Sequence, residues 1–143
     1  VSEWPPYLIA IVIAWLTAQG AKYLISVIKT HSFSDIRQLY LSGDMPSSHS
    51  ATAVSLATVI GLRDGVTSAV FSLAILFAAI VMYDAVMVRR SSGEQGAAIQ
   101  ALIRERKSII AIPRAAKGHR PIEVVTGAII GIVIGIVVFL ITT

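Results

Sequence analysis

Cysteine is absent from the 143-residue chain, which excludes disulfides and thiolate-held metal sites. Charge is scarce as well. Only 14% of residues are Asp, Glu, Lys or Arg, against about 25% in soluble domains. No basic helix interleaved with aromatics and no zinc-ligand spacing occurs, so no nucleic-acid partner is expected. Val1 to Pro6 hold no basic residue, and the apolar run that follows is longer than a signal-peptide core. That run is read as a retained span. Internal repeats and low-complexity segments are also missing.

What the chain has instead is apolar. Hydrophobic residues make up 55% of it, and the mean hydropathy is +0.78. Four apolar segments stand out, over about Tyr7–Ile28, Ser50–Leu62, Val66–Val88 and Ile122–Ile141. Crossing the hydrocarbon core takes roughly 20 helical residues. The first, third and fourth segments reach that length, and the second does so only with Met45–His49 included. Inside lipid such segments must be helical, because no water is present to satisfy backbone groups. Arg63-Asp64-Gly65 predicts a tight turn between segments two and three. From about Glu94 to Lys107, Ala97, Ala98, Ala101 and Leu102 share a face and predict a helix lying at the membrane interface. The expected fold is all-α, an integral membrane helical bundle. It has about four transmembrane helices plus an interfacial amphipathic helix, in one domain over residues 1–143.

Gly127, Gly131 and Gly135 repeat every four residues in the last segment. Small residues at that spacing let helices approach closely. The same face motivates the expectation of a possible homo-oligomer.

Basic residues are unevenly placed. Lys29 and Arg37 lie between segments one and two. Arg89, Arg90, Arg104, Arg106, Lys107, Arg114, Lys117 and Arg120 lie between segments three and four. The opposite side offers only Arg63. The positive-inside rule then puts both loops in the cytoplasm and both termini outside, with the cell membrane as the expected location. The net charge of +4 is read as basic residues facing anionic lipid.

Three polar sets collect on the basic side. Met45-Pro46-Ser47-Ser48-His49-Ser50 stands at the mouth of segment two. Helix N-termini bind anions through free amides and the positive end of the helix dipole, and serines there also serve as ordinary caps. Gly118-His119-Arg120-Pro121-Ile122-Glu123 stands at the start of segment four, with His119 and Glu123 one helical turn apart. A carboxylate in that position fixes an imidazole tautomer, although a first-turn glutamate is favourable at any helix start. The third set is Tyr83-Asp84 followed by Arg89-Arg90. Asp84 lies within a span and is read as a structural polar partner, since buried charges are normally paired. Arg89 and Arg90 are phosphate-binding candidates through bidentate donors. Lys22 lies inside segment one, where it either snorkels to the surface or reaches Asp84 or a bound anion.

These stretches, together with Ala18-Gln19-Gly20-Ala21-Lys22, resemble the type 2 phosphatidic acid phosphatase superfamily, which includes vanadium haloperoxidases. They resemble most closely its divergent branch of small membrane proteins. The resemblance implies a lipid-phosphate phosphatase working through a phosphohistidine. In that scheme His119 is the nucleophile, Glu123 orients it, and His49 is the general acid. Ser47 and Ser48 bind phosphate, and Lys22 stands for the first-motif lysine. No cofactor and no metal are implied.

The chain departs from the superfamily pattern in places. Lys29-Thr30 stands where an Arg-Pro pair is usual, Pro113 stands at an arginine position with Arg114 beside it, and Ser48 replaces a glycine. Two other functions fit the polar residues. One is a non-catalytic anionic-lipid binder. The other is a small oligomeric transporter, motivated by Lys22 and Asp84 within spans. A hard-ion site from Asp44, His49, His119 and Glu123 has no spacing in its favour.

Overall fold

The computed structural model describes residues 5–31, 45–107, 109–113, 115 and 118–143. Arg37, Asp44, Arg114 and Lys117 lie outside the described residues, as does most of the polar loop after Thr30. The elements are α1 (Pro6–Thr30), α2 (Ser48–Arg63), α3 (Ala69–Tyr83), a π-helical segment (Asp84–Val88), α4 (Arg89–Glu105) and α5 (Pro121–Thr142). Among the described residues there is no strand. The fold is all-α, as the apolar segments predict.

Local chemistry sets most of the helix ends. α1 opens on Pro5 and Pro6, where missing amides cost nothing. It closes at His31, whose φ of 52° turns the chain and whose N–H donates to the Val27 carbonyl. The Ser47 side chain caps α2 by accepting from the Ser50 N–H. The tight turn after α2 uses Gly65 at φ +86°, a conformation that favours glycine. Ser68 then caps α3 by accepting from the Phe71 N–H at 3.1 Å. That cap explains why α3 starts at Ala69 and not at Val66.

The predicted interfacial helix begins earlier than Glu94. No proline interrupts the chain after α3, so helix continues through the π-helical segment into α4. The result is one 37-residue rod, Ala69–Glu105. No residue of α4 is buried, and its apolar residues Ile99 and Leu102 are exposed.

Side-chain placement is inverted relative to a soluble protein. Leu16, Leu24, Leu73, Phe77, Ile129 and Leu140 point outward, whereas Ala10, Ala14, Ala18, Ala51 and Ala57 are buried. Such a surface is soluble only in lipid, and small interior residues provide close helix contact. Among the described residues, three helices are long and apolar enough to cross a membrane: α1, the Ala69–Glu105 rod and α5. α2 has 16 residues, fewer than a span requires, and its buried residues include Ser48, Ser50 and Ser55. It is the inner helix, packed against α1, α3 and α5. Its modest hydropathy follows, since its neighbours are protein and not lipid. The Ser55 hydroxyl donates to the Ala10 carbonyl at 3.3 Å, which satisfies one of those inner polar groups.

α5 meets α2 along the glycine stripe. A Cβ at Gly127 would strike the Ser47 carbonyl, one at Gly131 the Ala51 carbonyl, and one at Gly135 the Thr58 side chain. The face that motivated self-association is thus occupied within the chain. Helix direction follows from two ends. Tyr7 donates from its hydroxyl to Asp64 at 2.8 Å at one end of the bundle. At the other end the Ser47 N–H donates to the Glu123 carbonyl at 3.0 Å.

Gly131→Ala is expected to destabilise the protein by about 1–3 kcal/mol through overpacking. Gly20→Ala, where nothing lies within 4 Å of the added carbon, is expected to be neutral or mildly stabilising. Thermal melting in detergent compares the two.

Candidate functional site

The site forms where α2 and α5 begin and where the rod passes through its π-helical segment. Two backbone hydrogen bonds join these three elements. One is the Ser47–Glu123 bond, between the residue before α2 and the first turn of α5. The other runs from the His119 N–H to the Ala85 carbonyl at 3.2 Å. π-helical turns redirect carbonyls out of the regular ladder and recur at functional sites. Here one holds the backbone of a histidine. Gly118 makes that approach possible, because a Cβ there would collide with the backbone of Arg90.

His119 is buried, with 2% of its side chain exposed, and Glu123 is 12% exposed. His119 Nδ1 lies 3.0 Å from Glu123 Oε2. The same oxygen accepts the Arg120 N–H at 3.1 Å, so the carboxylate caps α5 and holds the imidazole together. An ionised carboxylate only accepts hydrogen bonds, which assigns the proton to Nδ1. The Nε2 lone pair is left available as a nucleophile or base. Pro121 in the first turn starts α5 without a wasted amide and sets the four-residue spacing on one face.

The Ser47 side chain is fully buried. Its oxygen accepts the Ser50 N–H at 3.4 Å and faces the Ser50 hydroxyl at 3.0 Å. Ser48 is buried too, and its carbonyl accepts the Thr52 hydroxyl at 2.7 Å. His49, in contrast, is exposed and points to a separate groove between α1 and α3. Arg89, His119, Lys22 and Asp84 all lie within coulombic reach of its ring.

Asp84 accepts from Arg89 Nε at 2.6 Å. Arg90 pairs with Glu94 at 3.1 Å on the exposed face of α4, where an ion pair contributes little. Lys22 is 4% exposed and belongs to the inward row Ala10, Ala14, Ala18, Lys22, Ser26 of α1. It faces the bundle and does not snorkel outward.

A cavity of about 710 Å³ opens beside the His119–Glu123 pair, with Glu123, Gly118, Arg120, Arg90 and Lys29 in its wall. Lys29 thus brings a cation to the basin from the position where the related pattern has an arginine. Gln100 also lines it and ties α4 to the following loop by donating to the Pro113 carbonyl at 2.7 Å. Among the described residues, no group of three or more metal-ligating side chains is gathered.

The structure therefore brings His119, Glu123, Ser47 and the rod together directly. It sets His49, Lys22, Arg89 and Asp84 in one electrostatic neighbourhood, and it turns Arg90 toward the basin. Ala85 contributes through its carbonyl alone, which no side-chain pattern announces. Gly118 was the readable sign that another backbone comes close.

Histidine reactivity checks this arrangement. Diethyl pyrocarbonate is expected to modify His49 and His31 well before His119, as read by peptide mass spectrometry. In Glu123→Ala, His119 is expected to react faster.

A family described as the Divergent PAP2 family matches residues 5–134. An "Uncharacterized membrane protein YuiD" of Bacillus subtilis (strain 168) is 37% identical over 111 residues, covering 67% of this chain and 70% of that protein. No solved structure matches the chain.

Proposed function

The chain belongs to the Divergent PAP2 family, and from that premise we propose that it is a membrane lipid-phosphate phosphatase. The observation that supports this reading best is the buried His119–Glu123 pair at the start of α5, beside a cation-lined basin. Nucleophilic histidines need a fixed tautomer and a free second nitrogen, and this pair supplies both.

In the proposed reaction His119 Nε2 attacks phosphorus while the bond from phosphorus to the lipid oxygen breaks. The His49 imidazolium gives its proton to the departing alkoxide. Water, deprotonated by the now neutral His49, then attacks the phosphohistidine. The phosphorus–nitrogen bond breaks, phosphate leaves, and His119 is restored. Ser47, Ser48, Lys22, Arg89 and Arg90 bind the equatorial oxygens or steer phosphate toward the site, with Asp84 positioning Arg89. Fixed cations at developing negative charge are the main rate source in phosphoryl transfer. No metal or cofactor enters the scheme.

One domain carries the whole arrangement in this reading. The basic residues Lys29, Arg89, Arg90 and Arg120 share the site's end of the bundle, and Arg63 is at the other. The positive-inside rule then sets the site on the cytoplasmic face of the cell membrane, with Pro5 and Thr143 toward the outside.

His119→Ala is expected to reduce phosphate release from a lipid phosphate to background. His49→Ala is expected to lose roughly 10²–10⁴-fold on the same substrate, the usual worth of a general acid. The His49 variant should still release a first equivalent of p-nitrophenol from p-nitrophenyl phosphate, whose leaving group needs no proton, and should then slow because the phosphohistidine lacks an activated water. Radiolabel from a labelled lipid phosphate should be trapped on His119 in wild type quenched in alkaline detergent, because phosphohistidine is labile to acid and stable to base. Full activity of either variant on the lipid substrate would sink the assignment. Tight lipid-phosphate binding without release would leave a non-catalytic binder.

A further inference from the structure

His49 closes one end of a groove of about 260 Å³ whose walls are Ile11 and Trp15 of α1, Leu56 of α2, and Phe77 and Val81 of α3. We propose that this groove holds one hydrocarbon chain of the lipid whose phosphate occupies the site, an inference that rests on the phosphatase reading for its headgroup.

Three observations carry it. First, the lining is apolar apart from His49 and Thr52, and the Thr52 hydroxyl is already bonded to the Ser48 carbonyl. His49 is thus the group with polar capacity to spare. Second, Trp15 and Phe77 are exposed on the lipid-facing side, so the groove opens laterally toward hydrocarbon. Its volume falls below the roughly 300–1,000 Å³ of pockets for drug-sized ligands, and a helix of about 10–12 Å diameter would not fit. A single chain near its head does. Third, the charges complement a phosphate at the inner end. Lys22, Arg89 and His119 lie within coulombic reach of His49; Asp84 does as well, and its charge is met by Arg89 at 2.6 Å.

The separate 710 Å³ basin, lined by Lys29, Arg90 and Arg120, then serves water and released phosphate. Chain and phosphate would arrive from different sides, with the bridging oxygen at His49. That is the oxygen a general acid must reach.

The test uses the full chain in nanodiscs and a long-chain alkyl phosphonate carrying a diazirine in its chain, which needs no turnover. Irradiation is expected to label peptides containing Ile11–Trp15 and Phe77–Val81. Excess alkyl phosphate of the same chain should suppress the label, and the matching alcohol should not. Val81→Trp should fill the groove from its α3 wall. It is expected to cut the label about tenfold and raise KM for long-chain alkyl phosphate about tenfold with kcat unchanged. Turnover of p-nitrophenyl phosphate should not change, which also reports folding.

Labels scattered over the outward faces of α3 and α5 without competition overturn the groove. So does a Val81→Trp protein with unaltered labelling and KM. A groove that is labelled in a protein releasing no phosphate supports the chain site and removes only the hydrolase reading.

Discussion

Everything at the site depends on how closely α2 and α5 approach. Carbonyls of α2 and its cap residue fill the space where side chains would be at Gly127 and Gly131. With that spacing the Ser47 amide reaches the Glu123 carbonyl, and the two histidine-bearing helix starts come to one end of the bundle. A wider separation would still give a membrane bundle. It would not give a shared neighbourhood for His49 and His119. Because lipid tails offer no hydrophobic drive for helices to associate, such contact has to come from shape.

The polar interior is organised around the same constraint. Lys22, Ser47, Ser48, Ser50, Ser55 and His119 are buried in a chain whose spanning helices turn large apolar side chains outward. Unsatisfied polar groups in hydrocarbon are expensive, so such a concentration implies a purpose or mutual satisfaction. Both occur. Ser55 and Ser50 are tied into helix contacts, Arg89 is tied to Asp84, and the imidazole of His119 is tied to Glu123. The backbone bond from His119 to Ala85 adds the rod as a third support.

The sequence was most readable where local chemistry rules. Apolar run length gave α1, α3 and α5, the Arg63-Asp64-Gly65 turn was visible in its glycine, and the four-residue step from His119 to Glu123 was visible in its spacing. Less readable were features decided by neighbours. α2 looked like a weak span because hydropathy cannot distinguish a lipid-facing helix from one wrapped by other helices. The unbroken passage from α3 into α4 leaves no mark, since a π-helical turn has no residue signature. The glycine stripe showed close packing but not its partner, which turned out to be α2. Whether Lys22 faces in or out is decided by the row from Ala10 to Ser26, which lines the interior and has no sequence marker of its own.

The brevity of α2 has a consequence for the membrane itself. Sixteen residues rise about 24 Å, some 6 Å short of a typical hydrocarbon core. With its Asp64 end joined to the first turn of α1, the shortfall falls at the opposite end, where Ser47 and His49 stand. α1 and the rod continue past that level, whereas α5 begins beside it. A bilayer matched to α1 and the rod would then be dimpled or wetted over the start of α2, a small well of water sunk below the headgroup plane. In the proposed reaction the phosphate stays hydrated there while its hydrocarbon never leaves the lipid.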